Sequence, residues 1–260
     1  MAIRTDHRTV NRRALAVGAG VIVLAGGLVW LVLAVLRPAP QATATAIDLR
    51  SWKLTLPVAG EDGDAEEVEP AAVTEPWLTA GPDGSLTFWA PAAGATTKNA
   101  KSPRTELISL EEFSAGEERR SLTASLAVSQ VPSDSEEIIL GQIHGAGEIK
   151  SVPYVMLRYT AGSLEVEVKK EQKGDAKQTF PLLSGVPLGE RFDVALTDNG
   201  DGSMTFTASH GGTTREATAE VPDAFRGEPV RFQVGDYQQA ESATGADDGG
   251  RVTFSSIAQN

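Results

Sequence analysis

The chain has 260 residues, no cysteine and a formal net charge of −12 at pH 7. The lack of cysteine excludes disulfides and thiolate metal sites, and the acidic balance argues against nucleic acid as a partner. After an N-terminal segment is subtracted, roughly 210 residues remain, which suits one large domain with its own core. Residues 47–260 contain 18 basic and 34 acidic residues, a net charge of −16. Any site for a polyanion must therefore be a neutral or cationic strip on an acidic body.

The N-terminal segment is predicted to direct export. Residues 1–13 contain four arginines and one aspartate, and residues 14–36 form a run of 23 uncharged residues. This run exceeds the apolar core of most signal peptides and matches a transmembrane signal anchor, with the domain outside the membrane. A cleaved signal peptide ending in the Ala-Thr-Ala of residues 42–44 ranks second, and a twin-arginine signal at residues 12–13 ranks third. Residues 37–46 are the expected linker, and every alternative makes the domain extracytoplasmic, either membrane-anchored or secreted.

Residues 47–260 are predicted to form one all-β domain. Short alternating apolar runs recur between Gly, Pro, Asp and Asn, and no stretch keeps a helical period. About thirteen strands favour an antiparallel two-sheet β-sandwich, or jelly roll. The Asp-Asn-Gly-Asp-Gly run at 198–202 predicts a hairpin turn, whereas 60–76, with at most a short helical turn, and 245–250 are predicted loops. The candidate strands are 51–56, 86–90, 104–110, 121–128, 137–144, 154–160, 164–170, 178–182, 191–198, 203–209, 213–219, 230–238 and 251–257.

Three of these strands place polar groups on one face. The runs are Ser-Pro-Arg-Thr-Glu-Leu at 102–107, Gly-Gln-Ile-His at 141–144 and Phe-Gln-Val-Gly-Asp-Tyr-Gln-Gln at 232–239. Side chains two apart on a strand share a face. Gln142 is therefore expected beside His144, and Arg104 beside Glu106. The third run presents Gln233, Tyr237 and Gln239 in the same way.

In this order and spacing, the three runs resemble the signatures of the alginate lyases of polysaccharide lyase family 7. Those signatures are Arg-Thr/Ser-Glu-Leu, Gln-Ile/Val-His and Phe-Lys-Ala-Gly-x-Tyr-x-Gln, and residues 52–57 look like the opening strand of that family. The resemblance implies a jelly-roll domain over residues 47–260 that cleaves alginate, an acidic polysaccharide, by β-elimination. It implies no cofactor and no metal, and we expect a monomer.

The chemistry of β-elimination needs these residue types. The proton beside the uronate carboxylate becomes removable only when the carboxylate charge is neutralised by hydrogen-bond donors. The resemblance gives Arg104 and Gln142 this role. It makes Tyr237 the acid that protonates the leaving oxygen, and for mannuronate also the base, whereas His144 is the base for guluronate. Ile143, between Gln142 and His144, favours guluronate.

The remaining motif residues give the groove its expected binding groups. Glu106 is expected to orient the arginine through a charge-assisted hydrogen bond, and Gln239 matches a groove residue. The chain departs from the family pattern at three places: Ile108 replaces an arginine, Gln233 a lysine, and Arg231 a tyrosine. We therefore expect Arg231 and Gln233 to contact the substrate, with subsite preferences that differ from the family pattern.

Three alternatives stay open at this point. The first is a lyase for another polyuronate such as glucuronan, because the chain lacks two basic residues of the family pattern and gains one. The second is a non-catalytic carbohydrate-binding module, which would keep stacking aromatics and donors but would not need a histidine and a tyrosine together. Trp77, Trp89 and Tyr159 are its candidate stacking residues, although aromatic residues in strands are more often core. The third is a structural or adhesion domain of the cell envelope.

Overall fold

The structure is a computed structural model, and it describes residues 47–260. The predicted signal anchor or signal peptide, residues 14–36, and the predicted linker, residues 37–46, lie outside the described residues. Within 47–260 no helix has the length and apolarity needed to cross a membrane.

The described chain is all-β, as predicted, and contains sixteen strands, numbered here in chain order. They are β1 (Trp52–Ala59), β2 (Ala65–Val68), β3 (Leu78–Ala80), β4 (Leu86–Pro91), β5 (Thr105–Ser109), β6 (Phe113–Ser114), β7 (Arg119–Gln130), β8 (Glu137–Gly145), β9 (Pro153–Thr160), β10 (Ser163–Lys169), β11 (Lys177–Leu183), β12 (Arg191–Asn199), β13 (Ser203–His210), β14 (Thr213–Glu220), β15 (Pro229–Gln238) and β16 (Gly249–Gln259). A short 3-10 turn at Gly147–Ile149 follows β8.

The strands form two antiparallel sheets. The first has the order β11-β10-β9-β8-β15-β5-β1-β2, with β6 paired to β15, and the second has the order β14-β13-β12-β7-β16-β4-β3. Hairpins such as β9–β10 and β12–β13 join consecutive strands, whereas the central neighbours β8–β15, β15–β5 and β7–β16 are distant in the sequence, as in a jelly-roll sandwich. The three motif strands β5, β15 and β8 are adjacent in the centre of the first sheet, so the topology brings the three signatures together.

The prediction for 60–76 as a loop was wrong in part, because β2 lies within it and pairs with β1. Its sequence, Ala-Glu-Glu-Val, is acidic and has no strand pattern. The strand is held by backbone pairing at the sheet edge and by an ion pair of 2.6 Å between Lys53 Nζ and Glu67 Oε2. The short strands β3 and β6 were also missed, whereas the hairpin turn at 198–202 joins β12 to β13 as predicted.

The core lies between the sheets and is rich in aromatic side chains. Phe88 and Phe254 meet edge to face at 5.1 Å between ring centroids, and Tyr154 stacks on Phe225 at 4.2 Å. All four are fully buried, and each such side chain stabilises the fold by about 1.5–3 kcal/mol. Tyr159 is also in the core, where its hydroxyl donates to the Val186 carbonyl. This core fixes the first sheet as a rigid support for its outer face.

One carboxyl group is buried in this core. Asp236, on β15, is 0% exposed, and neither of its oxygens has a hydrogen-bond partner among the described residues. Burial raises its pKa well above the usual range; the nearby backbone N–H of Ala90 and the charge of Arg251 oppose the rise, and the charge of Glu106 adds to it. Packing is tight here, since a Cβ on Gly250 would lie 2.3 Å from Asp236 Oδ1. Folding therefore favours the neutral, protonated form of Asp236.

Asp236→Asn is expected to flatten the dependence of stability on pH. The folded pKa of Asp236 lies above the unfolded value, so its contribution is complete below the unfolded pKa and is lost as pH rises through the folded pKa. The asparagine cannot ionise and should remove this decline. Thermal unfolding of both proteins between about pH 4 and 8 would show it, and parallel curves would contradict the assignment.

Candidate active site

A groove of about 1010 Å³ lies on the outer face of the first sheet. Seven of the eight residues that the sequence singles out line it: Arg104, Gln142, His144, Arg231, Gln233, Tyr237 and Gln239. The eighth, Glu106, is 0% exposed and lies beneath the groove floor. The groove therefore combines the three motifs in one place.

Within strand β8, the side chains that face the groove switch from odd-numbered to even-numbered positions. Gln142 and His144 line the groove, and Ile143 between them is buried in the core. Before Gly141 the alternation is reversed, since Ile138 and Leu140 are in the core and Ile139 lines the groove. The register against β9 shifts between Ile139 and Gly141, which is the signature of a β-bulge. An effect of Ile143 on substrate choice would have to act through the position of its neighbours.

Below the groove, Glu106 joins two of the predicted donors. Arg104 Nη1 donates to Glu106 Oε2 at 3.0 Å, and Gln142 Nε2 donates to Glu106 Oε1 at 2.6 Å. A carboxylate with no solvent contact is costly unless it is paired and hydrogen-bonded. Both oxygens of Glu106 are satisfied here, so the position of each donor is fixed by the charge beneath it. The expectation that Glu106 orients Arg104 agrees with this geometry.

The hydrogen-bond network around Glu106 extends to Gln233, and it occupies the amide hydrogens of Gln142. Gln142 Nε2 also donates to Gln233 Oε1 at 3.0 Å, so both of its hydrogens are engaged within the protein. Nε2 of Gln233 makes no hydrogen bond to any residue in 47–260. Gln233 is therefore the amide that can donate to a ligand, and Gln142 orients it. The role of Gln142 as a donor to the substrate carboxylate stays a prediction; in this structure its two amide hydrogens face Glu106 and Gln233.

Arg104 also covers the ring of Tyr237. Its Cζ atom lies 3.5 Å from the ring centroid, a close cation–π contact. Strand β15 comes so near β5 at Gly235 that a Cβ there would lie 2.5 Å from the Thr105 carbonyl oxygen, so only glycine fits. The charge of Glu106 thus positions Arg104, which in turn packs against Tyr237.

His144 is held in its neutral form. Its Nδ1 lies 3.1 Å from the Gly145 carbonyl oxygen, which can only accept, so Nδ1 bears the hydrogen and Nε2 has a free lone pair. The pKa of His144 is lowered to about 4: burial is the largest cause, the bond to Gly145 opposes it, and the charges of Arg104 and Arg231 add to the lowering. Arg231 pairs with His144 across β15 and β8. The imidazole is therefore unprotonated at neutral pH.

The two positions at which the chain lacks the basic residues of the family pattern lie side by side. Ile108 and Gln233 are paired across β5 and β15, and both line the groove. The centre of the groove is therefore less cationic than the family pattern implies, and Arg231 supplies a positive charge near the histidine instead.

Several groove residues were missed by the sequence analysis. Lys98, Lys150 and Arg158 line the groove but belong to none of the motifs. Arg158 is paired with Glu137 and, at 2.7 Å, with Glu167. Arg158 follows the alternation of β9 and could have been found once the face of that strand was known. Lys98 and Lys150 lie in loops, where no periodic signal exists.

Comparisons with known proteins identify the family. The sequence model of the alginate lyase family matches residues 47–260, and the chain belongs to this family. No curated protein matches the sequence. An alginate lyase from Pseudomonas aeruginosa has the same fold, with a TM-score of 0.73, 24% identity, and coverage of 82% of this chain and 99% of that chain.

Two further solved structures are similar. The alginate lyase A1-II′, described as a member of polysaccharide lyase family 7, has a TM-score of 0.70 and 25% identity, covering 84% of this chain and 97% of that chain. The alginate lyase from Klebsiella pneumoniae has a TM-score of 0.71 and 21% identity, covering 84% and 98%. The predicted family and sandwich fold are thus confirmed, and the chain is a polysaccharide lyase by family.

Glu106→Gln should reduce kcat/KM by about 10- to 100-fold, because each lost hydrogen bond to a charge is worth about 1.5–3 kcal/mol. The glutamine would leave Arg104 and Gln142 without a charged partner. Steady-state kinetics on alginate would measure the loss. Asp198→Asn is a matched control, since Asp198 is another buried acid that accepts two backbone hydrogen bonds, but on the opposite sheet. A similar loss in both variants would contradict a specific role for Glu106.

Proposed function

We propose that this protein cleaves alginate by β-elimination, leaving an unsaturated uronate at the new non-reducing end. The observation that supports this most directly is the placement of Arg104, Gln233, His144 and Tyr237 around one groove, three of them tied to the buried Glu106 network or packed on it. Membership of the alginate lyase family gives independent support. Structures of the related lyase A1-II′ include a complex with a product, GGG, and one with a substrate, GGMG.

The first step is neutralisation of the substrate carboxylate. Arg104 and the Nε2 group of Gln233 are the donors that face the groove, and donors of this kind are typically worth a few kcal/mol each in transition-state stabilisation. Neutralisation lets the carboxylate accept the electron pair of the C5–H bond. Gln142 holds Gln233 in place and shares the charge of Glu106 with Arg104.

The proton transfers follow from the states of His144 and Tyr237. His144 Nε2 has a lone pair and takes the C5 proton of guluronate. The electron pair forms the C4–C5 double bond as the C4–O4 bond breaks, and the Tyr237 hydroxyl gives its proton to the departing oxygen. For mannuronate, whose C5 proton lies on the other face of the ring, Tyr237 serves as both base and acid. Such groups each contribute about 10²- to 10⁴-fold.

A non-catalytic carbohydrate-binding module is less well supported. Such a module needs exposed aromatic rings, but no tryptophan in 47–260 lines the groove. Trp89 and Tyr159 are buried, and Trp77 packs against the core. A lyase for glucuronan is the stronger alternative, because the adjacent Ile108 and Gln233 change the donors at the centre of the groove.

We further propose that residues 14–36 export the domain and anchor it in the membrane, and that the domain acts as an extracytoplasmic monomer. The uncharged run and its basic flank support this proposal. An acidic, cysteine-free domain that binds an extracellular polysaccharide is compatible with that location.

Tyr237→Phe should lower activity by about 10²- to 10⁴-fold, because the proton for the leaving oxygen is lost while the ring that packs on Arg104 is kept. The assay is the ultraviolet absorbance of the new double bond on polymannuronate, polyguluronate and glucuronan. Tyr159→Phe, which removes a hydroxyl buried on the core side of the same sheet, is the control and should remain active. No absorbance change with the folded wild-type protein on any polymer would refute the proposed function.

The pH dependence of kcat/KM on polyguluronate should have its acid limb near pH 4, since the pKa of His144 is lowered to about 4. The histidine is the base when neutral, so activity falls as pH drops through that value and is flat just above it. Arg231→Gln removes a charge that lowers the pKa, and should therefore move the limb upward. A wild-type limb near the ordinary histidine value of about 6.5 would contradict this environment.

A further inference from the structure

One end of the groove is strongly acidic. The hairpin that joins β1 to β2, with β2 itself, contributes five carboxylates to the lining: Glu61, Asp62, Asp64, Glu66 and Glu67. Among the described residues, only Glu67 of these forms an ion pair, with Lys53. On this side of the groove, the lining contains one basic side chain, Lys98. Lys98 lies on the loop whose Thr96 carbonyl accepts a hydrogen bond from the Ala65 amide at the start of β2. This end of the groove therefore has an excess of negative charge.

The opposite edge of the same sheet lacks this excess of negative charge. A hollow of about 280 Å³ shares Pro153, Met156 and Arg158 with the groove and continues over β10 and β11. Its charged lining consists of Arg158, Lys169, Lys177, Glu167 and Asp175. Arg158 is paired with both Glu137 and Glu167, and Glu167 also binds Lys177. Lys169 and Asp175 have no ion pair within residues 47–260, so the charges at this edge nearly balance. Lys150 adds another cation to the groove near this edge.

The acidic end is not built as a cation site. No group of three or more acidic or histidine side chains in 47–260 is arranged to hold a metal ion. Its carboxylates are spread along an exposed hairpin, so what they present to the groove is a repulsive field. Exposed charges act over about 10 Å at 0.1 M salt, which spans the neighbouring sugar positions.

We propose that the groove is one-sided: the polyuronate chain extends from the catalytic centre toward β9, β10 and β11, and the acidic β1–β2 hairpin restricts binding on the other side. The inference rests on the proposed function, since it concerns the placement of the same substrate. Each sugar of the chain has one negative charge, so a sugar on the hairpin side meets a repulsion that a sugar on the side of Lys150 and Lys169 does not meet. The enzyme therefore cuts near one end of the bound chain and releases short fragments from the hairpin side.

The test removes charge from the hairpin without removing its turn. Glu61→Gln, Asp64→Asn and Glu66→Gln are combined, and two acids are left in place: Asp62, whose Oδ1 accepts from the Asp64 amide at 3.1 Å, and Glu67, which binds Lys53. At low salt the KM for polyguluronate should fall about 3- to 10-fold, from Coulomb interactions of three charges at about 10 Å in water. At about 1 M salt, where the Debye length is about 3 Å, the difference should vanish.

The cleavage position provides a second readout. An end-labelled oligoguluronate should be cut by the wild type mainly near one end, and the triple variant should cut more internal bonds. The matched control combines Glu190→Gln, Glu216→Gln and Glu220→Gln, which make the same change of net charge at exposed positions outside the groove lining. The control should retain the wild-type KM and cleavage position. Lys169→Gln should raise the KM for long chains more than for short ones.

The outcomes separate the two proposals. An active wild type whose KM and cleavage position are unchanged in the hairpin variant overturns the one-sided groove and leaves the lyase assignment intact. An equal fall in KM in the control also overturns it, because the effect would then come from net charge. A wild type that is folded but inactive on every polyuronate refutes the proposed function itself.

Discussion

The site depends on one buried carboxylate. Glu106 has no solvent contact, and both of its oxygens accept hydrogen bonds, one from Arg104 and one from Gln142. Removing one partner of such a buried pair typically costs 3–5 kcal/mol, so the three side chains are fixed relative to each other. Gln142 in turn fixes Gln233, and Arg104 packs on Tyr237. A buried negative charge thus positions Arg104, Gln233 and Tyr237 at the groove.

In the proposed mechanism, the basic residues that bind the substrate are distinct from His144, which removes the proton. Arg104 and Arg231 lie near His144 and help to keep it neutral, so the cations that attract a polyanion also keep the base unprotonated. The loss of two family cations at Ile108 and Gln233 is localised to one cross-strand pair. The chain has therefore changed the neighbouring surface while the Glu106 network stays intact, which supports a retained activity with altered subsites.

Much of this could be predicted from the sequence. The alternation of polar residues on three runs, combined with the family resemblance, placed His144, Tyr237, Arg104 and Glu106 in one site, and the spacing of turns indicated a sandwich. Strand β2 was missed because edge strands held by backbone pairing need no apolar pattern. The orientation of the Gln142 amide, the switch of groove-facing positions at Gly141 and the unpaired carboxyl of Asp236 depend on contacts between strands that are distant in the sequence. The charge difference between the groove ends was hidden for the same reason, since it needs the order of strands in the sheet.

A double-mutant cycle on Glu106 and Gln142 tests the central claim most directly. The kcat/KM on alginate would be measured for the wild type, Glu106→Gln, Gln142→Ala and the double variant. If the carboxylate acts by holding Gln142 and its partners, the two effects are strongly non-additive, with a coupling energy of about 1–3 kcal/mol. Additive losses would show that the two residues act independently, and would contradict the account in which the buried charge organises the site.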